Sequence, residues 1–349
     1  MPFTFRVVRN LLISLGAVFC FTTIILLSAG APPLDAYYHL FMGSIGSPAK
    51  WGHVIIAWIP LTLCAGALLY TFRIGLWNIG IEGQVIMGAV FSTALLRFGV
   101  EGHAPVVFLF LSFLAGIVGG AFWALISGFL KTKGGVHEIF AGLGLNFVAQ
   151  GIILWLIFGP WRRPGVASMS GTELFPEALW LSTLSSLRLS PVGLVLVVGA
   201  ILFSAWMLGY TRIGLSLKAI GNNADASFLF GLKPQRFMLL AATLTGGFAG
   251  IAGWYQVTGV YHRLIPAISS NYGYLGLLVV MLSNFNVWTV PAVAFFFACL
   301  NVGSIQLPMM LRIDSSLSGI IQGALVLATL AVYGWRRRAG RRRVGFFHD

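Results

Sequence analysis

The stretch "RIGLWNIGIEGQVIMGAV", residues 73–90, decides how this chain is read, because it sets one acid, Glu82, beside Asn78 and Gln84 in an otherwise apolar run crowded with glycine. Polar groups in hydrocarbon are costly and usually face a bundle interior or a water-filled path. Composition says whether hydrocarbon is the setting. Of 349 residues, 58% are hydrophobic and 9% charged, and the mean hydropathy is +0.90. Such a chain has too little polar surface to enclose a water-soluble core.

Apolar runs of about 20 residues, enough to cross roughly 30 Å of hydrocarbon, recur near 11–30, 54–72, 75–96, 105–130, 138–159, 190–209, 236–258, 268–283, 289–307 and 317–334. The chain therefore reads as an all-α polytopic membrane protein with about ten transmembrane helices in a single transmembrane domain, 1–349. Arg6 and Arg9 precede the first run. Its apolar core of roughly 17 residues exceeds the usual signal-peptide length, so it is read as an uncleaved span. Gly75, Gly80 and Gly83 point to a broken or re-entrant segment at Glu82, which membranes tolerate only where protein or a cavity surrounds it. Glu82 itself is open to three readings: a place on a translocation path, an ion pair with Arg73, or the cap of a broken helix.

The net charge of +13 is placed rather than spread. With both termini cytoplasmic, that side collects Arg6, Arg9, Arg73, Lys131, Lys133, Arg212, Lys218, Lys233, Arg236 and the six arginines of "WRRRAGRRR", leaving seven basic residues outside. The tail 335–349 is thus a basic cytoplasmic tail that signals topology and meets anionic lipid, and the charge calls for no nucleic acid. Cys20, Cys64 and Cys299 lie in apolar runs without a CxxC pair, and no histidine spacing suggests zinc. No phosphate-binding G-x-x-x-x-G-K-[ST] loop occurs, so any work the chain does against a gradient must draw its energy from an ion or from another subunit. Neither a catalytic constellation nor a cofactor is expected.

Small-residue spacings at Gly116/Gly120, Gly246/Gly250 and Ala249/Gly253 suit close backbone approach between helices. Asn78/Glu82 and Asn146/Gln150 are each four apart and share a face wherever the chain is helical. The longest polar stretch, 211–235, carries the marks of a two-turn surface helix: Asn223 as N-cap, Asp225 in the first turn, and Gly231 as terminator before Pro234. So short a helix is marginal in water, so Ala224, Ala226, Phe228, Leu229 and Phe230 must pack on something.

Five segments, in order, resemble the inner-membrane permeases of ATP-binding-cassette importers for nucleosides and simple sugars, within the superfamily of ribose and branched-chain amino acid permeases. They are "GLWNIGIEGQVIMGA", "GGVHEIFAGLGLNFVA", "RIGLSLKAIGNNADASFLFGL", "LTGGFAGIAGWYQVTG" and "SNYGYLGLLVVMLSNFNVWTVPAVAFFFACLNVG", within a resemblance that covers roughly residues 54–330. The resemblance implies that Gly221, Asn223, Ala224, Asp225, Ala226, Phe228 and Gly231 form a coupling helix seated on a separate ATPase subunit. The segment 160–189 is similar to the outer, periplasmic loop of the longer of two paired permeases, which implies a heterodimer with a second, shorter permease. An extracytoplasmic solute-binding protein would deliver the solute, and the chain would sit in the bacterial inner membrane.

A nucleoside suits the residues, because uncharged amides at Asn146, Gln150 and Asn271 match its hydroxyls and base edges, while Trp77, Trp254 or Tyr272 offers a stacking face. The substrate pathway is accordingly placed at Asn78, Glu82, Gln84, Asn146, Gln150, Asn271 and Tyr272. The alternative is an ion-coupled secondary transporter with Glu82 or Glu138 as the titrating carboxylate.

Overall fold

The computed structural model describes residues 16, 20–24, 26–28, 30, 32–100, 104–163, 165, 171–184, 189–311, 323 and 327. The expected basic tail, 335–349, lies outside them, as does most of the expected span at 317–334 and half of the expected span at 11–30. The described elements are helical: α1 (Pro33–Ile45), α2 (Pro48–Arg73), α3 (Ile81–Gly99), α4 (Pro105–Thr132), α5 (Glu138–Phe158), α6 (Pro191–Tyr210), α7 (Arg212–Asn222), α8 (Ala224–Leu229), α9 (Pro234–Tyr255), α10 (Tyr272–Leu282) and α11 (Val290–Leu311).

Six of these, α2 to α6 and α9 continued to Tyr261, are long and apolar enough to cross a membrane; α10 and α11 are apolar but supply only shorter stretches. Against the ten runs read from the sequence, the main displacement is at the opening stretch. The helix expected from residue 75 begins at Ile81, because Gly75 turns left-handed (φ +84°) and residues 74–80 form an irregular link between α2 and α3. Two helices were not expected: α1, and α7, whose Thr211 cap and inward Leu217 and Ile220 are nevertheless legible as helical spacing.

The chain divides into two compact units, residues 1–54 with 296–349 and residues 55–295. In the first, Gly303 of α11 abuts the backbone of Leu40 in α1, while Lys50 Nζ donates to the Met42 carbonyl at 2.8 Å.

In the second unit, α3, α4 and α9 meet backbone to backbone. A Cβ at Gly120 would strike the Gly246 carbonyl, one at Gly250 the Gly116 carbonyl, one at Gly253 the Val85 carbonyl, and one at Gly88 the Gly250 backbone. The three small-residue spacings named above are therefore the seams of this bundle. Without a hydrophobic driving force between helices in lipid, such close van der Waals packing and a few interhelical hydrogen bonds hold the bundle together. Trp254 Nε1 donates to Ser112 Oγ at 2.9 Å, Ser92 Oγ to the Ser112 carbonyl at 3.0 Å, and Thr245 Oγ1 to the Ala67 carbonyl at 2.9 Å. Trp254 is consumed by this packing, edge-on to Phe113, and is not a free stacking face as the sequence suggested.

Candidate functional site

The start of α3 has no side chain of its own to cap it. Asn146 of α5 takes that role from across the bundle: its Oδ1 accepts from Gly83 N at 2.8 Å, and its Nδ2 donates to the Ile79 carbonyl at 2.9 Å and to Tyr274 Oη at 3.1 Å. Gly80 and Gly142 let the two backbones touch there. Asn78 and Gln84 satisfy each other through two reciprocal amide bonds of 3.2 and 3.0 Å. Asn78 lies in the irregular link, so the helical face it was expected to share with Glu82 does not exist.

The second discontinuity follows α9. The helix widens into a π-helical turn at Gln256–Tyr261, the chain then runs irregularly from His262 to Asn271, and α10 restarts at Tyr272 for eleven residues. A helix of that length rises only about 16 Å. His262, Ser270 and Asn271 all take left-handed backbone conformations (φ 55°, 50° and 60°), which non-glycine residues adopt rarely and at a cost.

Buried irregular backbone needs partners, and side-chain amides supply them. Gln256 Nε2 donates to the Ile268 carbonyl at 3.1 Å, Gln150 Nε2 to the Pro266 carbonyl at 3.0 Å, and Tyr261 Oη pairs with Ser270 Oγ at 3.1 Å. Gln150 therefore does share a face of α5 with Asn146, as the spacing predicted.

Glu82, in the first turn of α3, is 5% exposed. It makes no ion pair with Arg73: among the described residues the carboxylate salt bridges belong to Glu138, with Lys131 at 2.7 Å and His137 at 3.8 Å. The Glu82 carboxylate instead faces the beginning of α10, where a Cβ on Gly273 would strike its Oε2. Neither oxygen makes a single well-aligned hydrogen bond, yet the Ser269 hydroxyl and the main-chain N–H groups of Asn271, Gly273 and Tyr274 surround it. The positive end of the α10 dipole thus stands where a counter-ion would otherwise be needed. Of the expected pathway residues, Glu82, Asn146, Gln150, Asn271 and Tyr272 gather around this irregular link and the start of α10. Asn78 and Gln84 line a separate narrow cleft with Trp77, Lys131 and Glu138.

Residues 171–184 clasp the same region. Thr172 N donates to the Leu264 carbonyl at 2.9 Å, Phe175 N to the His262 carbonyl at 3.0 Å and Leu181 N to the Thr258 carbonyl at 3.1 Å. Trp180 stacks on His262 with ring centres 4.0 Å apart.

The 211–235 segment forms two helices. Asn223 Oδ1 accepts from Ala226 N at 2.9 Å and caps α8, and Gly231 (φ +84°) ends it, with Leu232 N bonded to the Ser227 carbonyl at 3.1 Å. A Cβ at Gly221 would strike the Arg73 carbonyl, which seats α7 against the end of α2. Ser227 alone in α8 is buried, whereas Phe228, Leu229 and Phe230 are 65%, 85% and 88% exposed. The partner that so short a helix requires is not supplied by the described residues around it.

The reading of the sequence missed Gln256, Ser269 and Tyr274 at the interruption, together with the Trp180–His262 stack. Gln256 carries the same signal as Gln150, an amide in an apolar run. The tyrosine and serine carry none, because both are common at helix ends.

Among the described residues, six helices of membrane-crossing length with uncharged amides and one buried carboxylate gathered around irregular backbone fit a membrane transport subunit. Comparison with known proteins bears on which kind. Residues 52–330 match the family "Branched-chain amino acid transport system / permease component". The chain is 30% identical over 335 residues to the glucose ABC transporter permease protein TsgB13 of Haloferax volcanii, covering 93% of this chain and 86% of that one. It is 25% identical to the nucleoside ABC transporter permease protein NupB of Lactococcus lactis, over 85% of this chain and 84% of that one. It is 24% identical to the guanosine ABC transporter permease protein NupP of Bacillus subtilis, covering 91% of each. The chain belongs to this family of ABC transporter permeases.

Proposed function

We propose that this chain is the longer permease subunit of an importer that moves an uncharged, hydroxyl-bearing solute, a nucleoside or simple sugar, across a bacterial inner membrane. The observation that carries the reading is the cluster around the irregular backbone after α9: beside the single acid Glu82, Asn146, Gln150, Gln256, Ser270 and Tyr274 supply hydrogen-bonding groups without charge. The names of the relatives, glucose, nucleoside and guanosine permeases, point to the same solute chemistry. They also favour an ABC importer over an ion-coupled transporter.

In this reading both termini and the 211–235 segment are cytoplasmic, and the 160–189 loop is external. ATP is hydrolysed on a separate subunit whose groove receives α8, including Asp225 and Phe228. A solute-binding protein docks on the opposite face, and a shorter permease completes the pathway. Direction comes from the difference in solute affinity between the two conformations that ATP binding and hydrolysis bias. The amides and Glu82 hold the broken backbone in one arrangement, and the solute competes for those hydrogen bonds as the bundle rearranges.

The test is affinity purification of the tagged chain from its native membranes in mild detergent, with co-purifying proteins identified by mass spectrometry. An ATPase subunit and a second permease are expected with the normal chain, and the ATPase should be lost from an Asp225→Arg, Phe228→Ala variant. Glu82→Gln and Asn78→Ala should keep assembly but impair nucleoside uptake. Recovery of the chain alone under several gentle detergents overturns the importer reading, and unchanged uptake in both variants removes these residues from the pathway.

A further inference from the structure

Three apolar helices come to an end around one groove of about 490 Å³. Arg73 is the last residue of α2, Tyr210 the last residue of α6, and the turn 284–288 joins α10 to α11. Ends of membrane-length apolar helices lie at headgroup depth, where tryptophan and tyrosine concentrate. Trp288 and Tyr210 are 64% and 85% exposed there.

Arg73 has a buried Nε with no hydrogen-bond partner, and no acidic side chain lines the groove. The turn opposite is held in an unusual shape. Asn284 and Phe285 are consecutive non-glycine residues with left-handed backbone (φ 50° and 59°), fixed by Phe285 N to the Val280 carbonyl at 3.2 Å and by Thr289 Oγ1 to the Ser283 carbonyl at 2.9 Å. Phe285 packs on Phe72 with ring centres 5.5 Å apart, tying the turn to the helix that carries Arg73. Asn286 Oδ1 accepts from Trp288 N at 3.0 Å, so its amide Nδ2 is left to donate. Backbone held in sparsely populated conformations clusters at ligand clamps.

We infer that this groove is a binding site for the phosphodiester headgroup of an anionic phospholipid, with the Arg73 guanidinium as its charge partner and the Asn286 amide and Trp288 indole as neutral donors. A guanidinium presents a planar fork of N–H groups that matches phosphate oxygens. A lipid rather than a soluble anion is favoured because the groove lies where apolar helices end, among exposed aromatic side chains. This inference rests on the membrane reading of the chain and is independent of which solute is carried.

The test is native mass spectrometry of the full chain, released from micelles containing equal amounts of phosphatidylglycerol and phosphatidylcholine of matched acyl chains. The normal chain should retain phosphatidylglycerol by about fivefold, the size expected of one arginine meeting an anionic headgroup. Arg73→Gln should abolish that preference, Arg73→Lys should keep part of it, and the surface change Trp288→Leu should weaken it without altering the melting temperature. Equal retention of both lipids, or an undiminished preference in Arg73→Gln, overturns the inference. So does displacement of the adduct by inorganic phosphate, which would mark a free-anion site. Loss of the co-purifying ATPase from Arg73→Gln with lipid retention unchanged would assign the arginine to a protein partner instead and likewise overturn it.

Discussion

Glu82 condenses the residue-scale problem. A carboxylate at 5% exposure with no ion pair among the described residues is tolerable here because α10 begins against it, and Gly273 is what permits that approach. Any larger residue at 273 must push the carboxylate or the helix end away. Gly273→Ala is therefore expected to lower thermal stability in detergent by about 1–3 kcal/mol, the usual cost of overpacking a tight contact. Combining it with Glu82→Ala should restore part of the loss, because neighbouring substitutions are not additive. A Gly273→Ala protein that melts like the normal chain would show that the contact has slack. The acid and its amide neighbours on α5 were readable from their cost in an apolar run. The partner that relieves that cost was not, because Gly273 lies 191 positions away and carries no polar atom in its side chain.

At the scale of elements, α8 was legible because caps are local: Asn223 and Gly231 act within a few residues of themselves. The clasp of 171–184 on residues 258–264 was illegible because it is a set of main-chain bonds between distant segments, which side-chain identity does not announce. It makes a prediction about pH. Burial pushes His262 below its ordinary value of 6.5, outweighing the opposing hydrogen bond to the Thr258 carbonyl. Between the two values the unfolded clasp binds more protons than the folded one, so its stability is full above the ordinary value and is lost as pH falls toward the lowered one. Amide hydrogen exchange at 258–264, corrected for intrinsic rates, should be faster at about pH 5.5 than at about pH 7.5. His262→Gln should remove the difference. Exchange protection that is indifferent to pH in the normal chain would sink this account.

For the whole molecule, the orientation read from the basic residues is an arrangement of loops by side. Reporter fusions should place the C-terminus and the 223–231 segment on the cytoplasmic face and the 171–184 segment on the external face. A cytoplasmic signal from 171–184, or an external one from 223–231, would reverse the proposed faces for the ATPase and the solute-binding protein. The same fusions check the parity of crossings between those points, which helix length and hydropathy alone leave to α10 and α11.

What the sequence determined by itself is what local chemistry determines: a membrane setting from composition, most helix positions from apolar runs, small-residue seams from spacing, the caps of α8, and membership of a permease family from ordered motifs. The tertiary structure decided where the irregular backbone lies and who satisfies it. The irregular backbone expected at Glu82 proved to be a link before α3, while a second irregular stretch, a π-helical turn at 256–261 followed by 262–271, separates α9 from the short helix α10, largely between the two runs read as spans at 236–258 and 268–283. The physical reason is that buried irregular backbone is stabilised by the polar groups around it. Asn146, Gln150 and Gln256 donate to carbonyls that are left open by irregular backbone, and only the assembled bundle brings those donors within reach.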